Sequence, residues 1–121
     1  MGVRKHHALM WDYSKGLMLG LGRPVFLYLI TASFSLMAFF SVGFYAAERG
    51  VNPEISSLLD SLYYVVTVMS GVGLGDIVPK TGLGRVLSMV MMLVGTGLFV
   101  SFTAVLSTLL WEIETGRRKE T

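Results

Sequence analysis

Two stretches of the chain carry no ionisable side chain other than tyrosine. Residues 24–47 read PVFLYLITASFSLMAFFSVGFYAA, and residues 86–111 read VLSMVMMLVGTGLFVSFTAVLSTLLW. A helix needs about 20 apolar residues to cross a hydrocarbon core about 30 Å thick. Each stretch therefore predicts a transmembrane helix. Core helices of soluble proteins usually run shorter, and a chain of 121 residues has too little other material to bury two such helices on every side. The first stretch is not a signal peptide, because it begins too far into the chain, is too long for an h-region and lacks a small-residue cleavage site. The start does not match a myristoylation signal either, since His6 stands where Ser or Thr is needed.

The flanks set the orientation. Arg4, Lys5, Lys15 and Arg23 against Asp12 give the leading segment a net charge of +3. The segment between the spans holds Arg49, Lys80 and Arg85 against Glu48, Glu54, Asp60 and Asp76, a net charge of −1. After the second span, Arg117, Arg118 and Lys119 are balanced by Glu112, Glu114 and Glu120. The positive-inside rule puts both termini in the cytoplasm, as two spans require. The expected organisation is a cytoplasmic or interfacial segment (1–23), a membrane-embedded domain (24–114) and a cytoplasmic tail (115–121). Residues 8–22 read either as an interfacial helix along the inner leaflet or as a disordered lead-in, their glycines weakening a helix.

The connection between the spans is not polar throughout. Residues 61–75, SLYYVVTVMSGVGLG, carry no charge. They are too few to span and too apolar for water, which predicts a re-entrant segment. Non-helical backbone at membrane depth is tolerated only within protein or against a water-filled cavity. Asn52-Pro53-Glu54 supplies an N-cap, a proline at the first helical position and an acid in the first turn. Leu58, Leu59, Leu62, Val65, Val66 and Met69 then recur at helical spacing. The expectation is a short re-entrant helix over 53–70.

Glycine next falls on alternate positions, in Gly71-Val72-Gly73-Leu74-Gly75, ahead of Asp76. Glycine takes positive φ freely. A backbone alternating between right- and left-handed conformations points successive carbonyls the same way, and symmetric copies about an axis stack them into rings that replace a cation's hydration shell. A dinucleotide-binding fingerprint would need glycine at position 76 and a βαβ unit, and has neither.

The residues from Thr67 to Asp76, TVMSGVGLGD, resemble the TxxTTVGYGD signature of tetrameric potassium channels. Pro79, Thr81, Gly84 and Arg85 match the family's downstream P-x-T-x-x-G-[RK] pattern, and Gly95 and Gly97 lie where its inner helices carry a hinge glycine. The likeness is closest to prokaryotic two-helix pore domains. It implies an all-α homotetrameric membrane protein in the cell membrane. Residues 24–114 would then be a pore domain, each subunit giving an outer helix (24–47), a pore helix (53–70), a selectivity filter (71–75) and an inner helix (83–114). K⁺ would be the permeant ion, bound by the backbone carbonyls of Gly71, Val72, Gly73 and Leu74, with Gly75 closing the outer mouth. Filter support would come from Tyr63, Tyr64, Thr67, Ser70 and Asp76. The tyrosines read equally as interfacial anchors.

Two positions depart from the family pattern. Leu74 replaces a tyrosine and loses a bracing phenol. Gly71 replaces a threonine whose hydroxyl, in the family, joins the innermost ion site. Within the inner helix, Thr96, Val100, Thr103 and Ser107 form a mildly polar stripe, which either lines a pore or packs against another helix. Gly95 and Gly97 either let the helix bend or permit close packing. Glu112 or Glu114 forms an acidic ring at the inner mouth or a solvated helix end.

Composition adds exclusions. Hydrophobic residues make up 53% of the chain and charged ones 15%, with a mean hydropathy of +0.64, against about 25% charged in ordinary soluble domains. The absence of cysteine rules out disulfides, thiolate metal sites and a cysteine nucleophile. His6 and His7 are the only histidines, so an enzyme is not expected, nor any cofactor besides the permeant ion. A net charge of +2 does not suggest nucleic acid. The chain has no arginine-rich helix to sense voltage. The partners expected are three further copies and the lipid bilayer. Many two-helix relatives add a cytosolic ligand-binding domain, so this is either a pore-only protein or a pore whose regulatory part is absent from the chain. The expected function is K⁺ conduction. The alternatives are a weakly selective cation channel and a non-conducting membrane adaptor subunit.

Overall fold

The computed structural model describes residues 2–120. Its helices, in chain order, are α1 (Gly2–Leu21), α2 (Pro24–Glu48), α3 (Leu58–Met69) and α4 (Gly82–Glu120). The second and fourth are long and apolar enough to cross a membrane. In the most apolar windows of these two helices only 17% and 11% of residues are buried within the chain. Core helices of a soluble protein would be mostly covered, whereas these two hold their apolar surface outward. Large side chains such as Phe34, Phe39, Leu93 and Phe99 are accordingly exposed. The described residues form an all-α membrane protein.

The chain divides into two compact units. The first joins the residues up to Ile30 with those from Ser101 onward. Here α1 lies against the last turns of α4 through its glycines. A side chain at Gly16 would meet Ile113 Cδ1 at 2.8 Å, and one at Gly20 would collide with the Leu109 side chain. Polar ties flank this seam. Tyr13 Oη donates to Glu114 Oε2 at 2.5 Å, and Arg23 pairs with Glu112 at 2.6 Å. Neither acid is left as a bare helix end. Phe26 packs on Phe102 with ring centroids 6.4 Å apart. The leading segment is therefore helical from Gly2, and α4 runs on through the stretch expected to be a tail.

The second unit, Thr31–Val100, holds the short helix. Its core is Phe40, Phe44, Ile55, Tyr64, Val65, Met69 and Met91, drawn from α2, α3, α4 and the loop ahead of α3. Tyr64 stacks on Phe44 at a centroid distance of 4.2 Å. Ser61, fully buried on the same face, donates to the Ser41 carbonyl at 2.6 Å. Buried α3 positions 61, 64, 65 and 69 follow the helical period, so one stripe of the helix is seated on its own chain.

The start of α3 differs from expectation. The helix begins at Leu58, with Ser57 as N-cap, not at Pro53. Ser57 Oγ accepts from Asp60 N, while the Asp60 carboxylate accepts from Ser57 N at 2.9 Å and Ser56 N at 3.0 Å. This reciprocal box satisfies orphan amides at both positions and outcompetes the Asn52-Pro53 start. Asn52 is occupied elsewhere, as described below. Hydrogen bonds from the Ser56 hydroxyl and amide, followed by those from Ser57, hold the Asp60 carboxyl below its ordinary 3.8. A lowered folded-state value means that the ionised box stabilises the fold fully above the ordinary value and is lost as pH falls through the folded one. Asp60→Asn is therefore expected to lower the melting temperature at neutral pH. Its gap to wild type should close as the solution is made strongly acidic. A gap independent of pH in paired thermal melts would remove the charge from this role.

Candidate functional site

The last residue of α2 anchors the segment of interest. Glu48 is fully buried. Its Oε2 accepts from Lys80 N at 2.8 Å and Asn52 Nδ2 at 3.0 Å. Its Oε1 accepts from Thr81 N at 2.9 Å and Thr81 Oγ1 at 2.6 Å. A buried carboxylate is costly unless its oxygens are satisfied, and here two amides, a carboxamide and a hydroxyl satisfy them. Asn52 Nδ2 also donates to Val78 O at 2.8 Å, and its Oδ1 accepts from Glu54 N at 3.0 Å. The residue expected to cap the pore helix instead straps the outer loop to α2.

Thr81 is also the residue before α4, and its hydroxyl accepts from Gly84 N at 2.9 Å, an N-cap bond. Gly84 has to be glycine, because a Cβ there would fall on Glu48 Oε1. One turn on, Ser88 Oγ donates to Gly84 O at 2.7 Å and lies 2.7 Å from Tyr64 Oη. A continuous set of contacts thus runs from the end of α2, through the start of α4, to the buried face of α3. Glu48→Gln would turn amide hydrogens toward donors, and a cost of about 1–3 kcal/mol is expected in detergent melts. Gly84→Ala should do similar damage by displacing the carboxylate. Wild-type stability in both variants would show that the carboxylate is not the anchor.

Between α3 and this anchor lies the glycine segment. Gly71, Gly73 and Gly75 have φ of +80°, +52° and +79°, and no described non-glycine residue has positive φ. Handedness therefore alternates residue by residue from 71 to 75. Two amides tie the segment to the C-terminal end of α3: Gly71 N donates to Val68 O at 3.1 Å and Gly73 N to Thr67 O at 2.8 Å. Thr67 Oγ1 donates to Tyr64 O at 2.8 Å, and Ser70 Oγ to Thr67 O at 3.2 Å. Val72, Leu74 and Asp76 are exposed on the single chain. Behind the segment is a cavity of about 190 Å³ lined in part by Tyr64, Thr67, Gly73 and Gly75.

The two tyrosines separate. Tyr64 is buried, stacked on Phe44 and bound to Ser88. Tyr63 is 41% exposed. The hydrogen bond its phenol gives to Asp76, with smaller contributions from burial and the carboxylate's charge, keeps it above its ordinary 10.0. Tyr63 stays a neutral donor, linking the helix to the acid that follows the glycines. The missing side chain at position 71 also has a local reason. An L-residue at φ +80° costs about 1–2 kcal/mol, whereas glycine takes it freely. A Cβ at Gly71 would meet nothing within 4 Å. Backbone conformation, not lack of space, sets the residue type.

The expected hinge glycines also part company. A Cβ on Gly95 would lie 2.6 Å from Met69 Cα and collide with the Met69 carbonyl oxygen. This glycine lets α4 touch the backbone at the end of α3. Gly97 has open space around it. The residues Thr96, Val100, Thr103 and Ser107 are all exposed along α4. Gly95→Ala is expected to destabilise the chain by about 1–3 kcal/mol through overpacking. Gly97→Ala should be neutral or stabilise by up to about 1 kcal/mol through helix propensity. Equal losses in thermal melts would show that close approach is not what separates them.

A short helix ending in alternating left-handed glycines, set between two membrane-length helices, is the pore module of a channel. The chain matches the ion channel family over residues 25–112 and belongs to it. It is 37% identical over 75 residues to the calcium-gated potassium channel TvoK of Thermoplasma volcanium, covering 61% of this chain and 22% of that protein. It is 39% identical over 74 residues to potassium voltage-gated channel subfamily KQT member 4 of Homo sapiens, covering 59% and 11%. The chain thus spans less than a quarter of the length of these relatives. Among solved structures, it is similar to a voltage-gated K⁺ channel pore module in a closed state in lipid membranes. The TM-score is 0.55 at 27% identity, covering 64% of this chain and 85% of that one.

Glu48 is the residue that sequence reasoning missed, since it was counted only as a loop charge. The available signal was an acid closing an ion-free helix, followed by Thr81 and Gly84 where the second span begins.

Proposed function

We propose that this chain is one quarter of a potassium-selective channel pore. Four copies surround an axis, and K⁺ passes along it through the carbonyls of Gly71, Val72, Gly73 and Leu74, with Gly75 at the outer mouth. The observation that carries this reading is the alternation of backbone handedness at 71–75, at the C-terminal end of α3. Alternation turns successive carbonyls to one side. The negative end of the helix dipole favours a cation at the same place. Rings of such carbonyls replace the hydration shell of the permeant ion.

Tyr63, Thr67, Ser70 and Asp76 brace this filter through the bonds described above, and Tyr64 holds α3 to the rest of its subunit. On the inner helix, Thr96, Val100, Thr103 and Ser107 face the conduction path. Gly97 is the flexible glycine, while Gly95 serves the contact with α3. The termini lie in the cytoplasm. Trp11 and Lys15, exposed on α1 away from its glycine seam, suit the inner leaflet of the cell membrane. K⁺ is the ligand, and no nucleic acid is involved.

Oligomerisation is a physical requirement of the reading, since two spanning helices cannot enclose a pore. Light scattering in mild detergent should give a protein mass near four chains. In liposomes under opposed K⁺ and Na⁺ gradients, the reversal potential should lie close to the K⁺ equilibrium value. A potential near zero would favour a weakly selective cation pore. Absence of cation flux, or a monomeric particle, would favour a non-conducting adaptor.

A further inference from the structure

At the α4 side of the glycine segment is a second cavity, of about 250 Å³. Gly71 and Thr96 both line it, with Met69, Ser70, Gly95 and Phe99. Gly95 is the reason Thr96 is there: the backbone contact with Met69 brings α4 against the end of α3, and the next residue is carried to the cavity. The Thr96 hydroxyl donates to Met92 O at 2.7 Å. Its proton is thereby used, and its remaining lone pairs are available to a water or cation. Across the cavity, the position that would carry a hydroxyl in the family pattern is glycine, with nothing within 4 Å of where its Cβ would stand.

We propose that Thr96 supplies the hydroxyl oxygen that position 71 lacks, by holding a water that coordinates the permeant cation at the inner end of the filter. The inference rests on the potassium-pore reading and adds a specificity-determining residue to it. A water takes about 30 Å³ in the liquid and needs two or more polar partners. The cavity has ample room, and Thr96 and Gly71, a hydroxyl-bearing residue and a bare backbone, both line it. The oxygen of Ser70 is held toward α3 by its bond to Thr67 O, so Thr96 is the hydroxyl offered from the inner-helix side. The four subunits would place four such waters around the axis. An ion entering from the cytoplasm would shed its shell onto water ligands first and carbonyls second.

Ba²⁺ applied from the inner side of reconstituted channels is the probe, because it lodges in K⁺-sized oxygen sites. Thr96→Val removes the hydroxyl at nearly constant shape. It should weaken inner barium block about fivefold, the scale of one hydrogen bond, while Thr96→Ser stays near wild type. In the double variant Gly71→Thr, Thr96→Val, block should recover, since either position can supply the oxygen. Unchanged block in Thr96→Val, or a loss confined to Ser70→Ala, would overturn the assignment. Should the valine variant fail to assemble, thallium-soaked crystals of the wild-type tetramer decide. An ordered water between Thr96 Oγ1 and the innermost ion supports the proposal, and an innermost ion without one overturns it. Wild-type protein that blocks with barium but ignores Thr96 refutes this inference alone. Wild-type protein that carries no K⁺ refutes the pore reading and this inference with it.

Discussion

The carboxylate of Glu48 holds together three pieces of chain that have no other covalent or helical reason to meet. It ends α2, caps the turn at 80–81 and touches the first turn of α4. Each oxygen receives two bonds, all from neutral donors. An ion pair at this place would tolerate some displacement of its partner. A carboxylate satisfied by two consecutive amides does not, since those donors are fixed to the backbone. The geometry of the turn is therefore dictated by the end of α2. Because Thr81 also caps α4, the direction in which the second long helix leaves is set at the same point. Gly84 completes the arrangement by leaving no atom where the carboxylate sits.

From that anchor the short helix inherits its position. Its buried stripe rests on Phe44 and Met91, one from each long helix, and Tyr64 reaches Ser88 one turn beyond Gly84. The glycine segment is then held at both ends. The α3 carbonyls of Thr67 and Val68 take amides from one side, and the Asn52 and Glu48 bonds hold residues 78–81 on the other. Between these ends the segment makes few contacts within its own chain, and its faces are exposed. A stretch with alternating φ and little side-chain support keeps its shape by what flanks it. Conformational order in this region therefore depends on the anchor at one end and on α3 at the other.

Much of this was legible in the residues. The two spans followed from blocks without charge, the re-entrant segment from an apolar stretch too short to cross, and the alternation of handedness from glycine on every second position. The start of the short helix was not. Asn52-Pro53-Glu54 has every local mark of a helix start, yet Asn52 spends its side chain on Glu48, Val78 and Glu54. Ser57 and Asp60 form the real cap. The local signal pointed to one start, and a contact 26 residues away took its cap residue elsewhere. The roles of Gly95 and Gly97 were equally closed to pattern reading, because both are glycines in an apolar helix and only the backbone of Met69 distinguishes them. Glu48 was hidden for a similar reason: an acid at a membrane boundary looks solvated until its donors, more than 30 residues on, are known.

The substitution at position 71 illustrates how a departure from a family pattern is read differently once φ is known. By residue type it is a loss, one hydroxyl fewer per subunit. By conformation it is the third member of a left-handed series at 71, 73 and 75. A threonine would have to turn this residue out of that series, at a cost of about 1–2 kcal/mol in each chain if it did not. The glycine therefore extends the alternating backbone by one residue toward α3 and leaves the side-chain chemistry of that end to whatever lines the adjoining cavity. The inner helix brings a threonine there only because Gly95 lets it come close. The two glycines thus act on one place from opposite sides, Gly71 by shaping the backbone and Gly95 by admitting α4. On the proposed reading, the chemistry of that end passes from position 71 to Thr96. On the proposed pore reading, a conformational change in α4 alters the ligands met by an entering ion as well as the width of its path.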